Sequence, residues 1–244
     1  RNRVSFVVES WAEAVMKKVP ALVLILSFVA FAAYPQSKDL DALWTVSSKT
    51  YPSAGKFSTP KPWAPGQYVV VGQLSKGKRE SITTTLVVAK VGNGWVIENV
   101  SVDKSGKESV MQMLLGNYDA AMKTGDASQI ELVWIKTLEK DGSVSKTEGQ
   151  ALVLMKAMMK SAYEKMIVNL SEYIDGGSVQ VPAGTFSGTT VVNAKTKILG
   201  KTIESESWFH PAVPVNGMVR SKSKDEKSVS ELISFGFNGK PRIP

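Results

Sequence analysis

From residue 66 onward the chain alternates between short apolar runs and polar breaks. "GQYVVVGQL" meets "SKGKRE", "SITTTLVVAKV" meets "GNG", "WVIENVSV" meets "DKSGK", and "ESVMQMLL" stops at Gly116. The runs are rich in Val, Ile and Thr, and the breaks pair Gly with Asn, Asp, Ser or Lys. That pattern predicts consecutive antiparallel hairpins. Within "SITTTLVVAKV", a period of two places Ile82, Thr84, Leu86 and Val88 on one face. "SQIELVWIKTLEKDGS" predicts a further strand with Ile130, Leu132 and Trp134 facing one way. Beyond "DGG" at 175–177 the strands resume as "SVQVPAG", "TFSGTTVVNAKTKI", "KTIESESWFH", "GMVRSKS" and "SVSELISFGF".

The period changes in two places. "NYDAAMKTG" predicts a short helix closed by Gly125. In "EGQALVLMKAMMKSAYEKMIVNLS" apolar residues recur every three or four positions, while Lys156, Lys160 and Glu164 climb the other side. An amphipathic helix over 148–170 follows. A dominant antiparallel sheet with a few helices is an α+β architecture.

The first 65 residues read differently. Lys17 and Lys18 follow Met16, an apolar stretch runs from Val19 to about Val29, and Ala30-Phe31-Ala32 supplies small residues where a signal peptidase cuts. The apolar stretch is shorter than the ~20 residues a membrane-spanning helix needs. A cleaved export signal over 16–32 is therefore expected, with a buried helix or an uncleaved anchor as the alternatives. Residues 1–15 read as upstream leader. Residues 33–65, rich in Ser, Lys and Pro, form a lead-in with a short helix near Leu40, Leu43 and Trp44, and 66–244 form a single domain. Export implies a periplasmic address.

Composition narrows the chemistry. The chain has no cysteine, so disulfides, thiolate metal sites and a lipidated cysteine are excluded. The formal net charge is +8, carried largely by lysines in polar turns. A basic surface suits anionic lipid or polymer, although lysines at turn tips also keep strand edges soluble. Nucleic acid is not an expected partner, since no aromatic-basic motif accompanies the charge. Membrane contact is expected to be peripheral at most.

No catalytic constellation is present. His210, in "SWFHPAVP", is the one histidine, and a zinc site needs three or four ligands. Ser207 lies nearby without a G-x-S-x-G turn, and no phosphate-binding glycine loop follows a strand. Glu204 and Glu206 share a strand face, which suits paired acid-base work or plain solvation. No enzyme activity, metal or cofactor is expected. The candidate ligand-binding residues are Met155, Met158, Met159 and Met166 on the predicted long helix. Their adaptable thioethers would line a lipid or acyl cleft, or fill an irregular core where helix meets sheet. Copper is a third option, which usually recruits His or Cys as well.

The segment "VPAGTFSGTTVVNAKTKILGKTIESESWFHPAVPVNGMVRSKSKDEKSVSELISFGF" resembles uncharacterised exported bacterial proteins similar to the LolA/LolB-like lipoprotein-carrier superfamily. The likeness spans about 66–239 and is sharpest over 179–237. It implies a curved antiparallel β-sheet (half-barrel) with a helix across its concave face. Phe186 and Trp208 would be inward anchors, and the methionine helix would be the lid. The expected function is a non-enzymatic exported protein carrying a lipid, or an acylated protein's chain, in that cleft. The alternative is a structural or protein-interaction component of the envelope with no small ligand. A solid interior would favour the second.

Overall fold

The computed structural model describes residues 42–57, 60–124, 126–153, 173–198 and 201–244. Two antiparallel meanders dominate it. The first comprises β2 (Tyr68–Ser75), β3 (Lys78–Val91), β4 (Gly94–Asp103), β5 (Glu108–Gly116), β6 (Glu131–Leu138) and β7 (Val144–Glu148). The second comprises β8 (Tyr173–Val181), β9 (Gly184–Ile198), β10 (Lys201–Phe209), β11 (Met218–Ser223) and β12 (Ser228–Gly236). β12 pairs with β2 and joins the meanders into one sheet. β1 (Thr50–Tyr51) adds a short parallel pairing to β9, while β8 lies on the other side of β9.

The sheet is buried on both faces by different means. On the inner face, Val69, Val71, Val87, Val219 and Leu232 meet Val179, Val181 and Phe186 of the β8–β9 hairpin. That hairpin packs onto β12, where the Ala183 N–H donates to the Leu232 carbonyl at 3.0 Å. Further along the same face, Ile97, Met113, Leu115, Leu132 and Ile135 gather around Leu152. Register explains the grouping: Ile97 pairs with Met113 and Trp95 with Leu115, two residues apart on each strand.

On the outer face two segments lie across the strands. Trp44, in a 3-10 turn over Ala42–Trp44, packs with Val70, Ile82 and Ile233. It rests directly on Gly72, where an added Cβ would overlap the indole. The tail after β12 covers the other half. Glu98, fully buried on β4, accepts the backbone N–H groups of Arg242 (2.7 Å) and Ile243 (2.8 Å) and the side-chain amide of Gln112 (2.9 Å). Ile243 then fills a space between Val100 and Val110. A buried carboxylate is tolerated when several donors meet it.

The lead-in straps the sheet with aromatic rings. Tyr51 stacks on Phe186 with centroids 4.3 Å apart, and Phe57 stacks on Phe209 at 5.1 Å. Trp63 stacks on Tyr118 at 3.7 Å and donates its indole N–H to the Val215 carbonyl at 2.9 Å.

The expected α+β half-barrel with a helix across its concave face is not what forms. The structure is a large open mixed sheet of twelve strands, roughly all-β and not closed as a barrel. Among the described residues its one α-helix is α1 (Tyr118–Thr124). Of the helix expected over 148–170, Glu148 ends β7, Gly149–Leu152 form a 3-10 turn and Val153 is helical, while 154–170 lie outside the described residues. β-Branched runs joined by glycine turns continue through almost every other described segment, so strands take over.

Three finer expectations shift, two of them because a bulge adds a residue to the strand and reverses the facing phase. Ile82, Thr84 and Leu86 are buried together as expected, but Val88 sits at a register shift opposite Ile97–Val96 and is only half-buried. In β6 the register slips between Leu132 and Trp134, so the buried pair is Leu132 and Ile135 rather than Leu132 and Trp134. Phe186 is fully buried, whereas Trp208 is half-buried, on a strand that keeps regular register with β9. Its register partner is Arg220, and the Lys222 ammonium lies 5.6 Å from its ring.

Candidate interaction surface

In a meander, alternate turns lie at the same end of the strands. The turns here alternate in charge as well. Those joining β2–β3, β4–β5, β6–β7, β9–β10 and β11–β12 share one end. Their sequences hold Lys76 and Lys78, Lys104 and Lys107, Lys140, Lys197 and Lys201, and Lys224 and Lys227. At the other end, the connections Val91–Gly94, Val181–Gly184 and Phe209–Gly217 contain no Lys, Arg, Asp or Glu. The fourth connection there, which carries α1, is the exception, with Asp119, Lys123 and Asp126.

Three aspartates of the charged turns hydrogen-bond within their own turns. Asp103 accepts the N–H groups of Ser105 (2.8 Å) and Lys107 (3.0 Å) as well as the Ser105 hydroxyl. The Ser105 hydroxyl and those N–H groups hold its carboxyl below the usual range. Asp141 repeats the arrangement with the hydroxyl and N–H of Ser143, which likewise lower its pKa. Asp225 is held at about 2, first by the Lys227 ammonium and then by the Ser223 hydroxyl. These carboxylates shape their turns.

The lysines divide into two groups. Lys104 pairs with Glu80 (2.7 Å), Lys224 with Glu204 (2.6 Å), and Lys222 with Glu226 (3.1 Å) and Glu206 (3.4 Å). Lys76, Lys78 and Lys140 make no ion pair among the described residues. Lys76 has φ = 51°, a left-handed conformation better suited to Gly or Asn. Its backbone N–H donates to the Lys227 carbonyl at 2.7 Å, tying neighbouring turns together. Lysine at this position does not serve the turn.

Below these turns the outer face holds a depression of about 380 Å³ between Leu74, Gly77, Arg220, Lys222, Glu226 and Glu231. Burial raises the Glu231 carboxyl, and Arg220, 3.4 Å away, tempers the rise. On the inner face a polar row crosses four strands. The Ser207 hydroxyl donates to Ser221 at 2.8 Å, and the Ser230 hydroxyl donates to the Gln73 side-chain oxygen at 2.9 Å. Deeper still, Thr85 and Asn99 face each other across β3 and β4. Both are buried, and among the described residues neither the Thr85 hydroxyl nor either polar atom of the Asn99 amide has a hydrogen-bond partner.

Met155, Met158, Met159 and Met166 lie outside the described residues. His210 has a structural place. It is fully buried: its Nε2 lies 3.1 Å from the Pro52 carbonyl, and its Nδ1 accepts the Ala212 N–H at 3.1 Å. Desolvation lowers its pKa, so the ring is neutral and donates from Nε2 to Pro52. Glu204 and Glu206, considered for acid-base work, are engaged with Lys224 and Lys222. Among the described residues no three His, Cys, Asp or Glu side chains converge to hold a metal, and no helix is long and apolar enough to cross a membrane. The lysine residues were visible in the sequence, but their convergence was not drawn from it. The signal was there: charged and uncharged turns alternate along the chain.

No family model matches the chain, and no curated protein does. Among solved structures it is similar to a protein assigned as exported, with a YmcC-like fold, from Bacteroides fragilis. That likeness has 14% identity and a TM-score of 0.37, and covers 74% of this chain and 100% of that one. A protein assigned as a lipoprotein from Parabacteroides distasonis has 16% identity and a TM-score of 0.37, with the same coverage. A hypothetical protein from Chlamydia trachomatis has 9% identity and a TM-score of 0.41, covering 74% of this chain and 91% of that one. At such distances the likenesses carry no functional argument, and they add nothing to the resemblance to LolA/LolB-type carriers.

Proposed function

We propose that the protein is an exported, non-enzymatic component of the cell envelope that works through its surface as a structural or protein-interaction module. The observation that carries this reading is the filled interior. Phe186, Tyr51, Phe235 and His210 close on one another, and the inner face from Val69 to Leu232 is covered by the β8–β9 hairpin. Side chains packed this way leave no acyl-sized cleft between the described elements. The export signal read at 16–32 supports the address. The test has two parts. N-terminal sequencing of the secreted chain should begin near Ala33. Native mass spectrometry of protein purified from its own envelope should show the bare polypeptide mass. A lipid bound one to one would overturn the reading.

One observation favours a second reading, in which the protein carries a lipid or acyl ligand. Thr85 and Asn99 offer three polar atoms that find no partner among the described residues in a buried setting, and native proteins leave few such groups unsatisfied. A ligand carbonyl or hydroxyl would satisfy them. On this reading Asn99→Leu abolishes binding of a fluorescent fatty acid while leaving stability intact or improved. A wild-type protein that binds no such probe rejects it.

A further inference from the structure

The depression on the outer face is built between neighbouring strands. Arg220 of β11 and Glu231 of β12 are register partners, so the sheet ladder itself holds guanidinium and carboxylate side by side. They lie 3.4 Å apart, yet the Arg220 Nε is a buried donor with no hydrogen bond among the described residues. Buried donors are rarely left in that condition. Burial also raises the Glu231 carboxyl, the behaviour of a carboxylate short of donors. A hydroxyl oxygen set about 2.9 Å from each group spans a gap of this width. We propose that this depression binds a neutral sugar unit of a glycan, one hydroxyl of which bridges Arg220 and Glu231.

The lining decides the class of ligand. Its charged side chains are Arg220, Lys222, Glu226 and Glu231, two of each sign. A phosphate or carboxylate placed there meets the two glutamates, and an ammonium meets the two cations. A wholly apolar ligand would strip water from all four. A sugar hydroxyl escapes each objection, because it donates and accepts at once. Lys222 is engaged with Glu226 and Glu206 at 3.1 and 3.4 Å, which leaves Arg220 and Glu231 as the recognition pair. Leu74 and Val229 add apolar wall, which suits the C–H face of a pyranose ring. Trp208, half-buried, stands beside Arg220 on the next strand and extends that apolar surface. The volume of about 380 Å³ lies at the low end of the ~300–1,000 Å³ that small-molecule sites span, in keeping with a short saccharide. The pair sits on paired strands, so its geometry is fixed before a ligand arrives.

The site lies on the outer face, apart from the filled interior, and sugar binding is read on the purified chain whether or not it is exported. The decisive experiment screens the full chain on an array of immobilised neutral and acidic glycans, then titrates the best soluble trisaccharide by calorimetry. Retention of neutral glycans is expected. Glu231→Gln and Arg220→Gln should each weaken binding at least about tenfold, the loss of a hydrogen bond to a charged group. Arg220→Lys keeps the charge without the Nε donor and should restore little. Glu139→Gln makes the same charge change five strands from β12 and should leave binding unaltered. Circular dichroism checks each fold, and Glu231→Gln, which only neutralises a partly buried carboxylate, keeps the test open if an Arg220 variant unfolds. A chain that retains no neutral glycan overturns the proposal. So does binding undiminished by Glu231→Gln, which would place the sugar elsewhere. A preference for acidic glycans also overturns it, and would make Arg220 and Lys222 an anion site instead.

Discussion

The same strands end in two different ways. At one end they finish in exposed turns held by Asp side chains and tipped with lysine. At the other they finish under Phe57, Trp63 and Tyr118, beside a buried histidine. Gly77 and Gly217 condense the contrast. Both have positive φ, +74° and +75°, yet an added Cβ at Gly77 meets open space and at Gly217 meets the Phe57 ring. Local backbone conformation is alike at the two ends, and what surrounds it is not. The strapped end is packed under the lead-in, and the lysine end is exposed.

The largest effect should come from the packed interior on the strapped side. Phe186→Ala removes a fully buried ring stacked on Tyr51, and should cost about 3–5 kcal/mol in urea unfolding. Lys78→Ala at the opposite end should stay within about 0.5 kcal/mol. A comparable loss at both sites would dissolve the contrast.

The glycine pair sharpens it. Gly77→Ala should cost about 1–2 kcal/mol, the cost of a left-handed conformation alone. Gly217→Ala adds the overlap with Phe57, and should cost a further ~1–3 kcal/mol. Equal thermal shifts for the two variants would mean that the lead-in yields easily.

The pH dependence should also divide the ends. His210 has a folded pKa below its ordinary value of about 6.5, so as pH falls the unfolded chain takes up the proton first. The stability tied to the neutral ring is therefore complete above pH ~6.5 and is lost as pH falls toward the lowered folded value, by at most ~1.4 kcal/mol per pH unit. His210→Asn should flatten the urea midpoint between pH 7.5 and 5.5. An unchanged slope would show that the ring is not desolvated.

The smallest effect belongs to the exposed ion pairs. A double-mutant cycle on Lys224 and Glu204 should give a coupling below about 0.5 kcal/mol that vanishes in high salt.

The sequence made some of this legible. Glycine-bearing breaks marked nearly every hairpin, alternation put Ile82, Thr84 and Leu86 on one face, and the resemblance pointed Phe186 inward. The bulges escaped, because one extra residue near Val88 or Val133 leaves no mark in composition yet inverts the face that follows. The pairing of β12 with β2 was equally hidden, since periodicity says which face is apolar and not which strand lies beside it. Glu98 was the plainest surprise. A charge within "WVIENV" reads as facing water, and its partners lie 144 and 145 positions away. The lysine end was legible in part: the residues stood out, and only strand direction was needed to bring them together.

That separation has a consequence in time. While a chain is made from one end to the other, β3, β4 and β5 can pair long before residues 242 and 243 exist. Until those two amides arrive, the Glu98 carboxylate keeps its water, because dehydrating an unpartnered charge is too costly. Ile97 and Met113, on the other side of the same strands, face no such wait. Pulse-labelled amide exchange should find Arg242 and Ile243 among the last groups to gain protection. One strand, β4, is thus expected to dry first on one face and much later on the other.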